Sequence, residues 1–382
     1  MGNDLYKLRS FGYVEIDDEI WFPNLNFNAL MKINKSTGRL EIVDKFPNYG
    51  AWQGWLYSTV CYVDGYLVFV PNCSEEIVAY NLKSQKFIST ALDNEFIGQK
   101  KTYFINGYVH EHYVYMLPTG AECIVRYNSN NHTIQYLENE LSALIRTKPE
   151  TFYCFYQQFE VIDQKIYIPF LELNAVVIFG LAEESIEIKY LDIKGGCSTI
   201  NYVDGLFYLA SWKSPEIYCW NEETGKIKTY REFPENFMGT QMFLCGCDVG
   251  DRIVLFPEQS NMIISFSITS GEIYEVQEIH NFNNDPVMTY FVSNTETGQY
   301  LLTADMDAIG SYIYTTNRLE IRPCHSTDKL YNKKQIDNFF FHEDEKVLEE
   351  YIAEVLKNSE GTIQTEEQCN YGKRIFDQIR LS

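Results

Sequence analysis

Positive charge is the first shortage in this chain: 31 lysines and arginines face 53 aspartates and glutamates over 382 residues, for a formal net charge of −22 at pH 7. Nucleic-acid affinity comes largely from Lys and Arg displacing counterions on phosphates, so this balance argues against a nucleic-acid partner. Anionic membrane surfaces are disfavoured for the same reason. Long apolar runs are also missing. No stretch approaches the ~20 apolar residues needed to span a bilayer. The start, "MGNDLYKLRSFGYVEIDD", lacks the apolar core of a secretion signal, and Tyr6 stands where a myristoylation motif needs Ser or Thr. A metal-type CxxC pair is absent from the ten cysteines, which are scattered mostly through apolar runs. Free thiols in a cytoplasmic protein are the simplest expectation. No phosphate-binding glycine loop occurs.

What the chain has is aromatic and patterned. Aromatics make up 15% and charged residues 22%, a mixture able to bury a large core. Length alone leaves the domain count open, and an internal repeat decides it. In "EIVAYNLKSQKFIST", Tyr80 is followed seven residues later by Phe87. The same spacing of two apolar residues recurs as Ile33/Leu40, Tyr127/Ile134, Phe179/Ile186, Trp220/Ile227, Phe266/Ile273 and Tyr314/Ile321, with first members 41 to 52 residues apart. That period lies in the range of propeller blades. The gap holds turn residues ("NKSTGR", "NLKSQK", "NEETGK"), which predicts a hairpin. Upstream runs such as "YLVFVP", "YVYMLP" and "RIVLFP" have strand composition and length, and "CYVDG" and "NYVDG" mark a further strand and tight turn before them. Each unit is therefore expected to be four antiparallel strands, with blade boundaries near 50, 100, 150, 195, 238 and 286.

A four-stranded sheet alone exposes two faces, and radial packing against its neighbours covers them. The chain accordingly resembles a seven-bladed β-propeller, an all-β fold of four-stranded antiparallel blades covering residues 1–323. The "NxxTGxI"-like turns at Asn34 to Leu40 and Asn221 to Ile227 are similar to those of quinoprotein/kelch-like bacterial propellers, with no subfamily assigned. The Trp-Asp dipeptide of WD40 repeats, the repeated Gly-Gly of kelch blades and the sialidase Asp-box are all missing, so no functional residue carries over. Residues 324–382 break the period. "HEDEKVLEEYIAEVLKNSEG" places Val347, Leu348, Tyr351, Ile352 and Val355 on one helical face, and a helical extension contacting the propeller or a partner is expected there.

Candidate binding residues fall on the inter-blade loops, because variable loops on a rigid scaffold commonly carry recognition. Trp52, Trp55, Tyr57, Lys100, Lys101, Tyr156, Gln157, Gln158 and Gln241 are the ligand-binding set. Each aromatic has inter-blade packing as its alternative. A second column ahead of the third strand (Asn28, Glu75, Glu122, Asn174, Pro215, Asn261) reads as turn capping before it reads as a rim of acceptors. His110-Glu111-His112 aligns with the "VDG" turns, and Cys245-Gly246-Cys247 reads as buried thiols, so no metal and no cofactor are expected. The six histidines avoid the expected channel-lining strands, which leaves no Ser-His or Cys-His arrangement. The favoured function is therefore non-enzymatic: a recognition or scaffold propeller binding a protein, peptide or carbohydrate on its loop-rich face. The alternative is a propeller-fold lyase or hydrolase with polar groups at the channel mouth.

Overall fold

A computed structural model describes residues 10–278, except 38, 99–101 and 150, together with the strands at 299–304, 308–313 and 318–323. The expected C-terminal helices and His280 lie outside the described residues. Six four-stranded sheets occupy 14–44, 57–91, 104–137, 160–190, 197–230 and 243–278, each built of consecutive antiparallel strands, and a three-stranded sheet spans 299–323. The boundaries expected near 50, 100, 150, 195 and 238 all fall between sheets, and 286 lies outside the described residues. Two short helices, Asn94–Ile97 and Glu140–Arg146, sit in these gaps.

The seven-residue spacing is a cross-strand register. Ile33 faces Leu40, Tyr80 faces Phe87, Tyr127 faces Ile134, Phe179 faces Ile186, Trp220 faces Ile227 and Phe266 faces Ile273. In the three-stranded sheet the register differs from the expected one: Ile321 faces Gly310, and the seven-residue pair there is Tyr312 with Leu319. The slip from Tyr314 to Gly310 opposite Ile321 is four residues, and a slip by an even number keeps each residue on its own face, so apolar alternation does not separate the two registers.

The turns follow from their residues. Asn34 Oδ1 accepts from the Thr37 backbone N–H at 2.8 Å and its hydroxyl at 2.7 Å, and Asn221 does the same with Thr224 at 2.8 Å each. An Asn side chain thus organises the hairpin from within. In "VDG", Asp64 (φ 50°) and Gly65 (φ 81°), like Asp204 and Gly205 (50° and 82°), take the paired left-handed conformation of a type I′ hairpin.

The core lies between the sheets. Leu67, Phe69 and Val78 of the second sheet pack with Trp21 and Leu30 of the first, whereas Val68, Val70 and Ala79 pack with Val114, Met116 and Val125 of the third. Successive residues of one strand serve opposite interfaces. Equivalent clusters join the third sheet to the fourth, the fourth to the fifth and the fifth to the sixth. This is why the second strands read as unbroken apolar runs. The first strand of every one of these six sheets contributes to the wall of one central cavity, which is the radial geometry of a β-propeller.

The sheets are also tied by backbone. Five of the second strands end in proline, at Pro23, Pro71, Pro118, Pro169 and Pro257, where the ladder needs no further N–H. The residues just beyond bond to the inter-blade loops. Asn72 N–H donates to Leu56 O (2.8 Å), Tyr103 to Asn72 (2.7 Å), Thr119 to Tyr103 (2.9 Å) and Cys154 to Thr119 (2.8 Å). Leu171 N–H donates to Cys154 O (2.8 Å), Cys197 to Phe170 (2.9 Å), Trp212 to Gly196 (3.1 Å), Met242 to Trp212 (2.8 Å) and Glu258 to Met242 (3.2 Å). Each such bond contributes about 0.5–1.5 kcal/mol net, and together they form a girdle on the loop-rich face.

Candidate functional site

The central cavity has a volume of about 780 Å³. Its wall is the inner strands Val14–Ile16, Tyr57–Val63, Phe104–His110, Glu160–Ile162, Cys197–Val203 and Phe243–Asp248, with the loop residues that enter them. One mouth, called upper here, is rimmed by inter-blade loops and by the loops between second and third strands. The lower mouth is rimmed by the tight hairpins that follow the inner strands.

At the upper rim Trp55 is 40% exposed and is held in the left-handed region at φ 61°. Gly54 beside it is required by close approach, since a Cβ there would lie 2.5 Å from Leu25 O. Strained non-glycine backbone of this kind is retained where the surroundings over-determine it, and functional rims are a common place for it. The Trp55 ring stands 5.6 Å from Phe11, and the half-buried Trp52 ring 6.3 Å from Phe27. Tyr57 corrects the sequence-based set. It is wholly buried, its ring 4.5 Å from Phe46 and its hydroxyl accepting from Ser74 Oγ at 3.1 Å, so it is a core residue of the first interface. Tyr57 opens an inner strand, whereas Trp55, two residues earlier, lies outside that strand in the left-handed region and so does not share its face. Lys100 and Lys101 lie outside the described residues.

The consecutive residues Tyr156, Gln157 and Gln158 are each hydrogen-bonded to another blade. Tyr156 donates its hydroxyl to Glu258 Oε1 at 2.6 Å. Gln158 donates Nε2 to Gly246 O and accepts from Gly246 N–H, both at 2.8 Å. Asn106 Nδ2 donates to Gln157 O. The entry to the fourth sheet therefore bonds directly to the sixth, passing over the fifth. Gln241 is half-buried, and its carbonyl accepts from Gln259 N–H at 2.8 Å. Two further inter-blade loop residues are exposed at this rim: Tyr153, and Met238 at 57% exposure.

Glu258 was also missed. It is 6% exposed, and burial pushes its carboxyl up to about 7. The Trp212 indole approaches closely enough to lower that value, yet neither Nε1 nor Oε2 attains hydrogen-bond geometry. Its signal was positional: an acid stands after Pro257 where Asn, Asn and Thr follow Pro23, Pro71 and Pro118. Glu160 on the inner strand of the fourth sheet is likewise pushed up to about 7, first by burial and then by the charge of Asp248. Burial raises the thiols of Cys245 and Cys247, which suppresses thiolate chemistry.

The column ahead of the third strand is structural where the side chains show it. Asn28 donates to Phe46 O and Tyr49 O at 3.0 Å each and accepts from Phe46 N–H at 2.9 Å. Asn174 donates to Leu191 O at 2.9 Å, and Asn261 clamps Asn236 O and Met238 N–H at 2.9 and 2.8 Å. Glu122 pairs with Arg146 at 2.7 Å. Among the described residues no group of three His, Cys, Asp or Glu side chains is placed to hold a metal ion, and no helix is long and apolar enough to cross a membrane.

No family model matches the chain, and no curated protein matches it in sequence. Solved structures do match in fold. The chain is similar to the RRP9 WD40 repeats (TM-score 0.53, 12% identity, covering 82% of this chain and 88% of that one). It is similar to the computationally designed Ika8 protein (0.55, 9%, 85% and 92%). It is also similar to virginiamycin B lyase from Staphylococcus aureus, solved with quinupristin (0.51, 17%, 70% and 84%). Identities this low establish the β-propeller fold alone.

Proposed function

We propose that the chain is a recognition or scaffold propeller whose upper face binds a protein or peptide. The observation that carries this reading is the placing of Trp55, Tyr153 and Met238, three exposed apolar side chains on three different inter-blade loops of one face. Large apolar side chains on a rigid rim bury area on binding at low entropic cost, and polar neighbours such as Gln241 fix orientation. The WD40 character of the RRP9 neighbour fits an interaction scaffold, and the net charge of −22 favours a basic partner surface. In this reading the three-stranded sheet belongs to a seventh blade, the turns are of the quinoprotein/kelch-like kind, the protein is cytoplasmic, and the 324–382 segment contacts the propeller or the partner.

The test is affinity capture with the full chain and the variants Trp55→Ala, Tyr153→Ala and Met238→Ala, quantified partner by partner, with melting measured alongside. Loss of about 1–4 kcal/mol of binding at unchanged melting temperature is the expected result for anchors of this type. Equal capture by the triple variant refutes the reading.

A further inference from the structure

The lower mouth of the cavity has a different chemistry from the upper. Glu15, Glu160 and Asp248, from the inner strands of the first, fourth and sixth sheets, stand on its wall, and no lysine, arginine or histidine lines the cavity among the described residues. Glu15 is already paired with Lys35 at 3.0 Å. Glu160 has no ion-pair partner among the described residues. The same cavity wall carries two tyrosines, Tyr62 at 45% and Tyr202 at 37% exposure, at the same place in "CYVDG" and "NYVDG". Asn201, next to Tyr202 and 3% exposed, donates Nδ2 to Gly246 O at 3.0 Å, while its Oδ1 has no hydrogen-bond partner.

We propose that the lower half of this cavity binds a protonated amine, the alkylammonium group of a polyamine or of a lysine side chain. Glu160 and Asp248 supply the charge, Tyr62 and Tyr202 the aromatic wall, and Asn201 Oδ1 an acceptor. An ammonium has three donors and no acceptor, which suits a wall of carboxyls, a side-chain carbonyl and ring faces. A cavity of one sign with low-dielectric walls also concentrates cations from solution. Burial raises both carboxyls, and each is raised further by a neighbouring acid, Glu160 by Asp248 and Asp248 by Asp204. A bound cation relieves that repulsion. The site is distinct from the upper rim and stands independently of the function proposed for it.

Spermidine titrated calorimetrically into the full chain at pH 8 and low salt is expected to bind saturably at one site, more weakly as salt is added. Glu160→Gln should weaken it at least tenfold and Tyr202→Leu at least threefold, whereas Glu223→Gln, on an exposed turn, should leave it unchanged. Binding of Nα-acetyl-lysine methylamide at the same site identifies a lysine side chain as the source, and binding of spermidine alone identifies a polyamine. If Glu160→Gln fails to fold, the Tyr62→Leu/Tyr202→Leu double variant, altered only at half-exposed rings, decides. Unchanged spermidine affinity in a folded variant of either kind, or heat that never saturates, overturns the proposal.

Discussion

Two links between neighbouring sheets differ sharply. Residues 191–196 step from the fourth sheet to the fifth in the shortest way the described chain uses, whereas residues 138–159 make the same step from the third to the fourth through a helix and a crossing of the cavity. Both links take part in the girdle, Gly196 O accepting from Trp212 N–H in one case and Cys154 N–H donating to Thr119 O in the other. The short link shows what the step itself requires. The remainder of the long link does something else: Asn139 caps helix Glu140–Arg146, Arg146 anchors to Glu122, and Tyr156 and Gln158 tie the fourth sheet to the sixth. It is a cross-brace at the upper mouth.

Removing the packing under the brace is the hardest blow. Phe155→Ala, at a fully buried ring 5.1 Å from Phe170, should cost about 3–5 kcal/mol by urea denaturation. A loss under 1 kcal/mol would mean that the long link is an ornament on a self-sufficient fourth sheet. Cutting only the brace is milder. Gln158→Ala strips the Gly246 N–H of its partner and should cost about 1–3 kcal/mol, measured the same way. The other tie is read by pH. The Glu258 carboxyl, ordinarily near 4.5, is pushed up to about 7, so the native chain holds that proton more tightly than the unfolded chain. Its contribution to stability is full below about 4.5, shrinks as pH rises and is gone above about 7, and Glu160 acts in the same direction. Glu258→Gln should therefore flatten the fall in urea midpoint between pH 5 and pH 8, and an unaltered slope counts against the buried acid. The smallest effect belongs to the exposed end of the link: Asn139→Ala removes the cap that accepts from Leu141 N–H at 3.0 Å, for about 1 kcal/mol.

This contrast also marks what was readable beforehand. The sheets were legible because a blade buries both faces, which leaves apolar second strands, asparagine-led turns and a cross-strand pair at a spacing of seven. The six registers from Ile33/Leu40 to Phe266/Ile273 follow from nothing more. The brace was not legible, since Gln158 and Gly246 are 88 residues apart and neither type advertises the contact. Trp55 and Tyr57 looked alike as aromatics of one loop, and only the backbone separates them: Tyr57 opens an inner strand, whereas Trp55 precedes that strand in the left-handed region. Glu258 and Glu160 were two acids among 53 until burial singled them out.

The girdle has a consequence for descent. Its bonds run from amide to carbonyl and name no side chain, so replacing Trp55, Tyr153 or Met238 exchanges what the rim presents while the ring that assembles the sheets goes untouched. Proline at the strand ends and a bend in each loop are all it asks of heredity. Lineages carrying this architecture are free to change the side chains of the upper rim many times over before they endanger the fold.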